Sequence, residues 1–179
     1  MSMHRDLPFE FKSLTEAGTF EGLAAVYGVV DDYNDVIEPG AFSKTLDALG
    51  GVAPMLWHHD MKEPIGFADA RETDAGLWVR GELNLHVLRA RETHSLMKQA
   101  QGEGVPFGLS IGFDTVQAEW QGQMRHVKEI RLWEISPTLF PAQSLALVTD
   151  VKSRGSQESD LTRMRTLLTE IRMTLRFGL

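Results

Sequence analysis

The chain has 179 residues, of which 42% are hydrophobic, and these values predict a single folded domain rather than a disordered protein. A formal net charge of −7 argues against nucleic acid as the main partner, and the lack of cysteine excludes a disulfide scaffold, an iron–sulfur cluster and a cysteine nucleophile. Neither a signal-peptide core nor an apolar run of about 18 residues occurs, so we expect a cytoplasmic protein that does not enter a membrane.

The first part of the chain combines strand-like and helix-like segments. Residues 19–30 are rich in small and β-branched side chains, which favours a strand, and turn-forming residues dominate 31–42. The spacing of apolar residues predicts a helix over Ala41–Leu49, which ends at two glycines. We then expect a strand over 52–59 and a hairpin over 65–85.

The next part of the chain predicts a second helix and a second hairpin. The helix is expected over 86–101, and its candidate apolar positions are Val87, Leu88, Leu96 and Met97. The hairpin has strands over 107–120 and 124–136, joined by a short polar connection. One more apolar run lies at 145–151. The expected fold class is therefore α+β, with strands predominating.

The composition changes near Ser153. Residues 153–160 form a polar linker, which is a plausible place for self-cleavage because it is polar and expected to be exposed. After it, apolar residues recur at helical spacing at Leu161, Met164, Leu168, Ile171 and Leu175. We expect a domain over 1–152, the linker, and an amphipathic association helix over 161–179.

Two adjacent histidines, His58 and His59, precede Asp60 at the end of a predicted strand. On a strand, adjacent side chains point to opposite faces, so both imidazoles reach one metal ion only if the strand ends there. Three interpretations remain open: a metal site that includes Asp60, a structural end of a strand, and one corner of a hydrolase active site.

Ser110 lies between two glycines on one face of a predicted strand. Alternation places Gly108, Ser110 and Gly112 on this face, with Phe107 and Ile111 on the other. A nucleophile needs open space, because a substrate carbonyl must approach to about 3–3.5 Å. The glycines give Ser110 no bulky neighbours on its strand. Alternatively, they accommodate a bulge or a crossing strand.

Glu134 is a carboxylate within an otherwise apolar strand. Such a group is costly to bury without a partner, and a histidine N–H is a suitable one; an edge position that faces water is the alternative. Together with Ser110 and the histidine pair His58 and His59, this residue completes a hydroxyl, an imidazole and a carboxylate on three separate segments. Activation of serine requires these three groups, since the imidazole takes the proton and a third group orients the imidazole.

Four segments, in order and spacing, carry a family resemblance. They are GVVDDYNDVIEPGAF at 28–42, LWHHDMKEPIG at 56–66, GLSIGF at 108–113 and EISPTLFPA at 134–142. This set resembles the prohead serine proteases of tailed bacteriophages, which are related to the herpesvirus assemblins. The resemblance covers residues 18–148. It implies an assemblin-like, mostly antiparallel β-barrel with surrounding helices, to which the predicted C-terminal amphipathic helix is appended.

The resemblance also assigns roles to the residues of the site. It makes Ser110 the nucleophile, His59 the general base and Glu134 the third member. His126 is a rival for the third role, because the viral assemblins use a second histidine there, and Asp60 is another. Backbone N–H groups near the serine would bind the oxyanion, and the candidate residues are Gly108, Ile111 and Gly112.

The resemblance implies a capsid-maturation endopeptidase that needs neither a cofactor nor a metal. Its expected partners are the phage capsid protein and scaffold segments as substrates, and further copies of itself, within the immature capsid in the bacterial cytoplasm. Three rival functions remain: a catalytically silent capsid-assembly protein with the same fold, a metal-dependent hydrolase using His58, His59 and Asp60, and a β-barrel binding module.

Overall fold

The computed structural model describes residues 14–143, 145, 146, 148 and 149. The predicted linker over 153–160 and helix over 161–179 lie outside these residues. The elements are β1 Thr19–Val26, β2 Asp35–Ile37, α1 Ser43–Leu49, β3 Val52–Trp57, β4 Asp60–Thr73, β5 Gly76–Leu83, α2 Leu88–Gly102, β6 Gly108–Gln121, β7 Met124–Thr138 and β8 Val148–Thr149. Within the described part of the chain, no helix has the length and apolar character needed to span a membrane.

The eight strands of the described residues belong to one sheet, and most of its pairings are antiparallel. The order is β2-β7-β3-β4-β5-β1-β8, and β6 pairs with β7 as well. Only β2 and β3 run parallel to their neighbour β7. The Leu109 N–H donates to the Ala146 carbonyl at 2.8 Å, and the Val148 N–H donates to the Phe107 carbonyl at 3.0 Å. Because Val148 also pairs with β1 and Leu109 belongs to β6, which pairs with β7, these bonds bring the start of β6 beside β8, and the sheet curls as part of a barrel.

The two predicted hairpins and the helices predicted over 41–49 and 86–101 are present, whereas β2 was not predicted. It lies inside the segment that was expected to be only a turn-rich loop, and it pairs with residues 125–127 of β7. A strand of three residues carries almost no periodic signal of its own. Its strand geometry depends on a partner about 90 positions away, which local patterns do not reveal.

The buried face of α2 differs from the predicted one. Leu88 and Leu96 were expected in the core, but they are 62% and 43% exposed, whereas Met97 is buried as predicted and Val87 is partly buried against the core. The side chains that α2 buries are those of Ala90, Thr93, Met97 and Ala100. Their spacing is helical, but three of them are small. Small side chains let the helix axis approach the barrel closely, so the larger leucines remain outside.

Candidate active site

His58 and His59 form the two-residue turn between β3 and β4. Trp57 pairs with Asp60 across this turn, and the φ angles of the two histidines are +49° and +63°. Positive φ at both central residues defines the type I′ hairpin turn, whose twist matches that of the flanking strands. The strand predicted over 52–59 therefore ends at Trp57, and the two histidines lie in the turn rather than on opposite faces of a strand. Histidine is one of the residue types that tolerate this backbone region.

The turn presents His59 to Glu134 on β7. The two side chains meet through His59 Nδ1 and Glu134 Oε1, which are 2.5 Å apart. The carboxylate can only accept, so Nδ1–H donates and Nε2 is left as the free basic nitrogen. This bond raises the pKa of His59 above its usual value, although partial burial opposes the shift. Burial lowers the pKa of His58, and the charge of His59 adds to that effect.

Ser136 connects the turn and the carboxylate. Its hydroxyl donates to Glu134 Oε2 at 2.6 Å and accepts from the His59 backbone N–H at 2.9 Å. The Ser136 side chain is fully buried. Sequence reasoning did not single out this residue. The available signal was its position two residues after Glu134, which places both side chains on the same face of a strand.

The register of β6 against β7 brings Ser110 to this group. Ser110 lies opposite Ser136, and Gly112 lies opposite Glu134. Residues directly opposite each other in an antiparallel pair share a face of the sheet. Ser110, His59 and Glu134 accordingly line one cleft of about 740 Å³, together with Ile111 and Gly112. The Ser110 hydroxyl makes no hydrogen bond to any residue that the structure describes.

The two glycines beside Ser110 do not leave the open space that was predicted. A Cβ on Gly112 would lie 2.3 Å from Glu134 Oε1, and a Cβ on Gly108 would lie 2.5 Å from the ring of Pro141. Gly112 thus makes room for the carboxylate that binds His59. Gly108 is covered by Pro141 and does not line the cleft, which weakens it as an oxyanion candidate.

The rival candidates lie elsewhere. His126 Nδ1 is 2.6 Å from Glu38 Oε1. His126 also lies eight residues before Glu134 on β7, which separates the two residues by about 25 Å along the strand. Asp60 is exposed and accepts the Lys62 backbone N–H at 2.9 Å. Among the residues that the structure describes, no three His, Asp or Glu side chains are arranged so that they could hold a metal ion, so His58, His59 and Asp60 do not form the metal site considered above.

The rim of the cleft is apolar and exposed. Four large side chains from separate segments line it, and their exposed fractions are 75% for Tyr33, 78% for Met61, 50% for Trp133 and 86% for Phe140. Exposed apolar surface that surrounds a concave site is typical of a binding surface. Besides Glu134, the carboxylates that line the cleft are those of Asp31, Asp32 and Asp35. No Lys or Arg of the described residues lines the cleft.

A family model described as caudovirus prohead serine protease matches residues 7–161. The prohead protease of Enterobacteria phage HK97 is 32% identical to this chain over 139 residues, which are 76% of this chain and 61% of that protein. The match therefore spans less than two thirds of the length of that relative.

Two solved structures are also similar. KSHV protease in complex with a hexapeptide phosphonate inhibitor has a TM-score of 0.51 at 8% identity, and the match covers 83% of this chain and 75% of that chain. The bacteriophage T4 capsid assembly protease has a TM-score of 0.46 at 13% identity, with 72% of this chain and 88% of that chain covered. The likeness to KSHV protease shows a shared fold and confirms the predicted assemblin-like barrel.

Proposed function

This chain belongs to the caudovirus prohead serine protease family, and from that premise we propose that it is a serine endopeptidase of capsid maturation, with Ser110 as nucleophile. The single observation that carries the proposal is the convergence of Ser110, His59 and Glu134 in one cleft. Its substrates are segments of the capsid and scaffold proteins, which it meets inside the prohead in the bacterial cytoplasm, and it acts there in association with further copies of itself.

The reaction is acyl transfer through a serine ester. Ser110 Oγ attacks the peptide carbonyl carbon while His59 Nε2 takes the hydroxyl proton, and a tetrahedral intermediate forms. His59 then returns the proton to the leaving nitrogen, the C–N bond breaks, and the acyl group remains on Ser110. Water repeats the sequence with His59 as base, which releases the acid and regenerates the serine.

The role of Glu134 is to hold His59 and to stabilise its protonated form. The 2.5 Å bond between Glu134 Oε1 and His59 Nδ1 directs His59 Nε2 away from the carboxylate. Nε2 is the atom that receives the serine proton. The raised pKa of His59 makes the imidazole a stronger base for Ser110. Because Glu134 acts through His59, its loss is expected to slow the reaction less than loss of Ser110 or His59.

The Ile111 N–H is the oxyanion donor that we favour among the three candidates. The Leu109 N–H points away from β7, since it donates to the Ala146 carbonyl at 2.8 Å. Backbone groups alternate along an antiparallel strand, so the Ile111 N–H points to the same edge of β6, next to Ser110. A donor at that position lies beside the carbonyl oxygen that becomes negatively charged in the intermediate.

The lining of the cleft supports an extended peptide substrate with large apolar side chains near the scissile bond. Tyr33, Met61, Trp133 and Phe140 offer apolar surface that water otherwise covers. The carboxylates of Asp31 and Asp32 disfavour acidic substrate residues by like-charge repulsion, because no cation of the described lining residues offsets them.

The test is labelling with a fluorophosphonate, read by intact mass and peptide mapping, at high protein concentration in a sulfate-containing buffer that favours burial and association. The wild type should carry the label on Ser110, and Ser110→Ala should carry none. His59→Asn should label about 1000-fold more slowly or not at all. His58→Asn is the matched control, since both histidines have positive φ, which asparagine tolerates, and it should label at the wild-type rate.

Absence of label from folded, associated wild-type protein would overturn the enzymatic proposal. A capsid-assembly protein without catalytic activity would then be the better description. If His59→Asn and His58→Asn were labelled at the same rate, only the role of His59 as general base would be contradicted.

A further inference from the structure

Ser136 occupies a position in which one hydroxyl serves both partners of the His59–Glu134 pair. A serine hydroxyl has one donor and two acceptor lone pairs. In Ser136 the donor goes to Glu134 Oε2 at 2.6 Å, and an acceptor position takes the His59 backbone N–H at 2.9 Å. The side chain is fully buried, so water does not compete for these bonds.

We propose that Ser136 is a positioning residue for the reaction, which fixes the Glu134 carboxylate and the His59 turn relative to each other; this inference rests on the proposed function. The terminal torsion of a glutamate is broad and has no steep intrinsic preference. With Oε2 held by Ser136, rotation of the carboxylate is blocked and Oε1 stays 2.5 Å from His59 Nδ1. The second bond holds the backbone from which that imidazole projects.

One close contact and one strand pairing link Ser136 and Glu134 to the rest of the site. The Glu134 carboxylate lies over Gly112, where a Cβ would be 2.3 Å from Oε1. Ser136 lies opposite Ser110 across β6 and β7, so its hydroxyl and the nucleophile share one face of the sheet. A shift of Ser136 would therefore be transmitted to the base and its carboxylate together, on the face where Ser110 lies. Small displacements at such a site have large kinetic consequences.

The test compares Ser136→Ala with the wild type in fluorophosphonate labelling as a function of probe concentration. The maximal labelling rate should fall about 10- to 100-fold, and the half-saturating probe concentration should change less than about 2-fold, because Ser136 does not line the cleft. Ser43→Ala is the matched control. Its hydroxyl also donates to a glutamate, Glu72 Oε2 at 2.5 Å, on another part of the barrel, and its loss should leave labelling unchanged.

A double-mutant cycle with Glu134→Gln separates positioning from general loss of structure. If Ser136 acts through Glu134, then Ser136→Ala should slow labelling less than about 3-fold in the Glu134→Gln background. An equal loss in both backgrounds would overturn the proposal.

Hydrogen exchange of the His59 amide supplies a readout that does not depend on activity. The amide should lose protection in Ser136→Ala and keep it in Ser43→Ala, and unchanged protection would overturn the proposal. If the wild type is not labelled but the His59 amide loses protection in Ser136→Ala, the proposed function is wrong. The structural role of Ser136 in holding the His59 turn would still stand.

Discussion

His59 Nδ1 lies 2.5 Å from Glu134 Oε1, although the two residues are 75 positions apart in the chain. Their meeting depends on β3 and β7, which run parallel and pair at Met55 and Ile135. Both of these side chains are fully buried. The turn that follows β3 is thereby placed beside the carboxylate of β7, and the register of β6 adds Ser110.

Glu134→Gln should lower the rate of Ser110 labelling by about 100-fold or more, because an amide in place of the carboxylate no longer stabilises the protonated imidazole. The bond to Glu134 raises the pKa of His59, and a general base works in its neutral form. The wild-type rate should therefore fall as pH drops through that raised pKa, and the fall should occur at lower pH in Glu134→Gln. A pH series of labelling rates measures this shift. If the labelling rates of the wild type and Glu134→Gln fell at the same pH, the role of Glu134 in raising the pKa of His59 would be contradicted.

Gly112→Ala should reduce activity with little loss of stability. The new Cβ would lie 2.3 Å from Glu134 Oε1, which is the end of a side chain that can rotate away. We expect a labelling rate about 100-fold lower and a free energy of unfolding within about 1–2 kcal/mol of the wild type, measured by urea denaturation. Gly102→Ala is the control, since a Cβ there meets no atom within 4 Å. It should raise the free energy of unfolding by about 0.4–1 kcal/mol and leave the rate unchanged.

Trp133→Ser should change substrate choice. Trp133 is 50% exposed and lines the cleft, whereas Trp120, on the same hairpin, is 67% exposed and does not line it. Cleavage of a peptide library by the wild type should favour large apolar residues near the scissile bond, and Trp133→Ser should weaken that preference by about 10-fold at one position. Trp120→Ser should cleave the same set as the wild type. Identical profiles for all three proteins would remove Trp133 from the binding surface.

Arg125→Met should destabilise the protein. The Arg125 Nε donates to Asp35 Oδ1 at 2.7 Å, and a second bond joins Nη2 to Oδ2. Asp35 is buried and stands opposite Arg125 in the pairing of β2 with β7, so loss of the guanidinium leaves a buried charge without its partner. We expect the free energy of unfolding to fall by about 3 kcal/mol in urea titration. Asp35→Asn combined with Arg125→Met should recover most of this loss, and a double variant as unstable as the single one would refute the explanation.

Local patterns in the sequence predicted most of the fold. Strands β1 and β3 to β7, both hairpins and both helices follow from alternation, helical spacing and turn residues, because each of these signals acts over a few neighbouring positions. The family and its barrel were predicted from four segments in order, and the comparisons confirm both. Assignment of Ser110, His59 and Glu134 to catalytic roles came from the same resemblance and stays a prediction until the variants are measured.

The sequence by itself determined which chemical groups are available: one serine between glycines, two adjacent histidines and a glutamate in an apolar strand. Only the tertiary structure decided how they are used. The two histidines form a type I′ turn, and the Glu134 carboxylate fills the space over Gly112. Ser136 connects Glu134 to the His59 backbone through two hydrogen bonds. The reason is physical, since these relationships depend on strand register and on parallel pairing between distant segments, and neither leaves a mark in local periodicity.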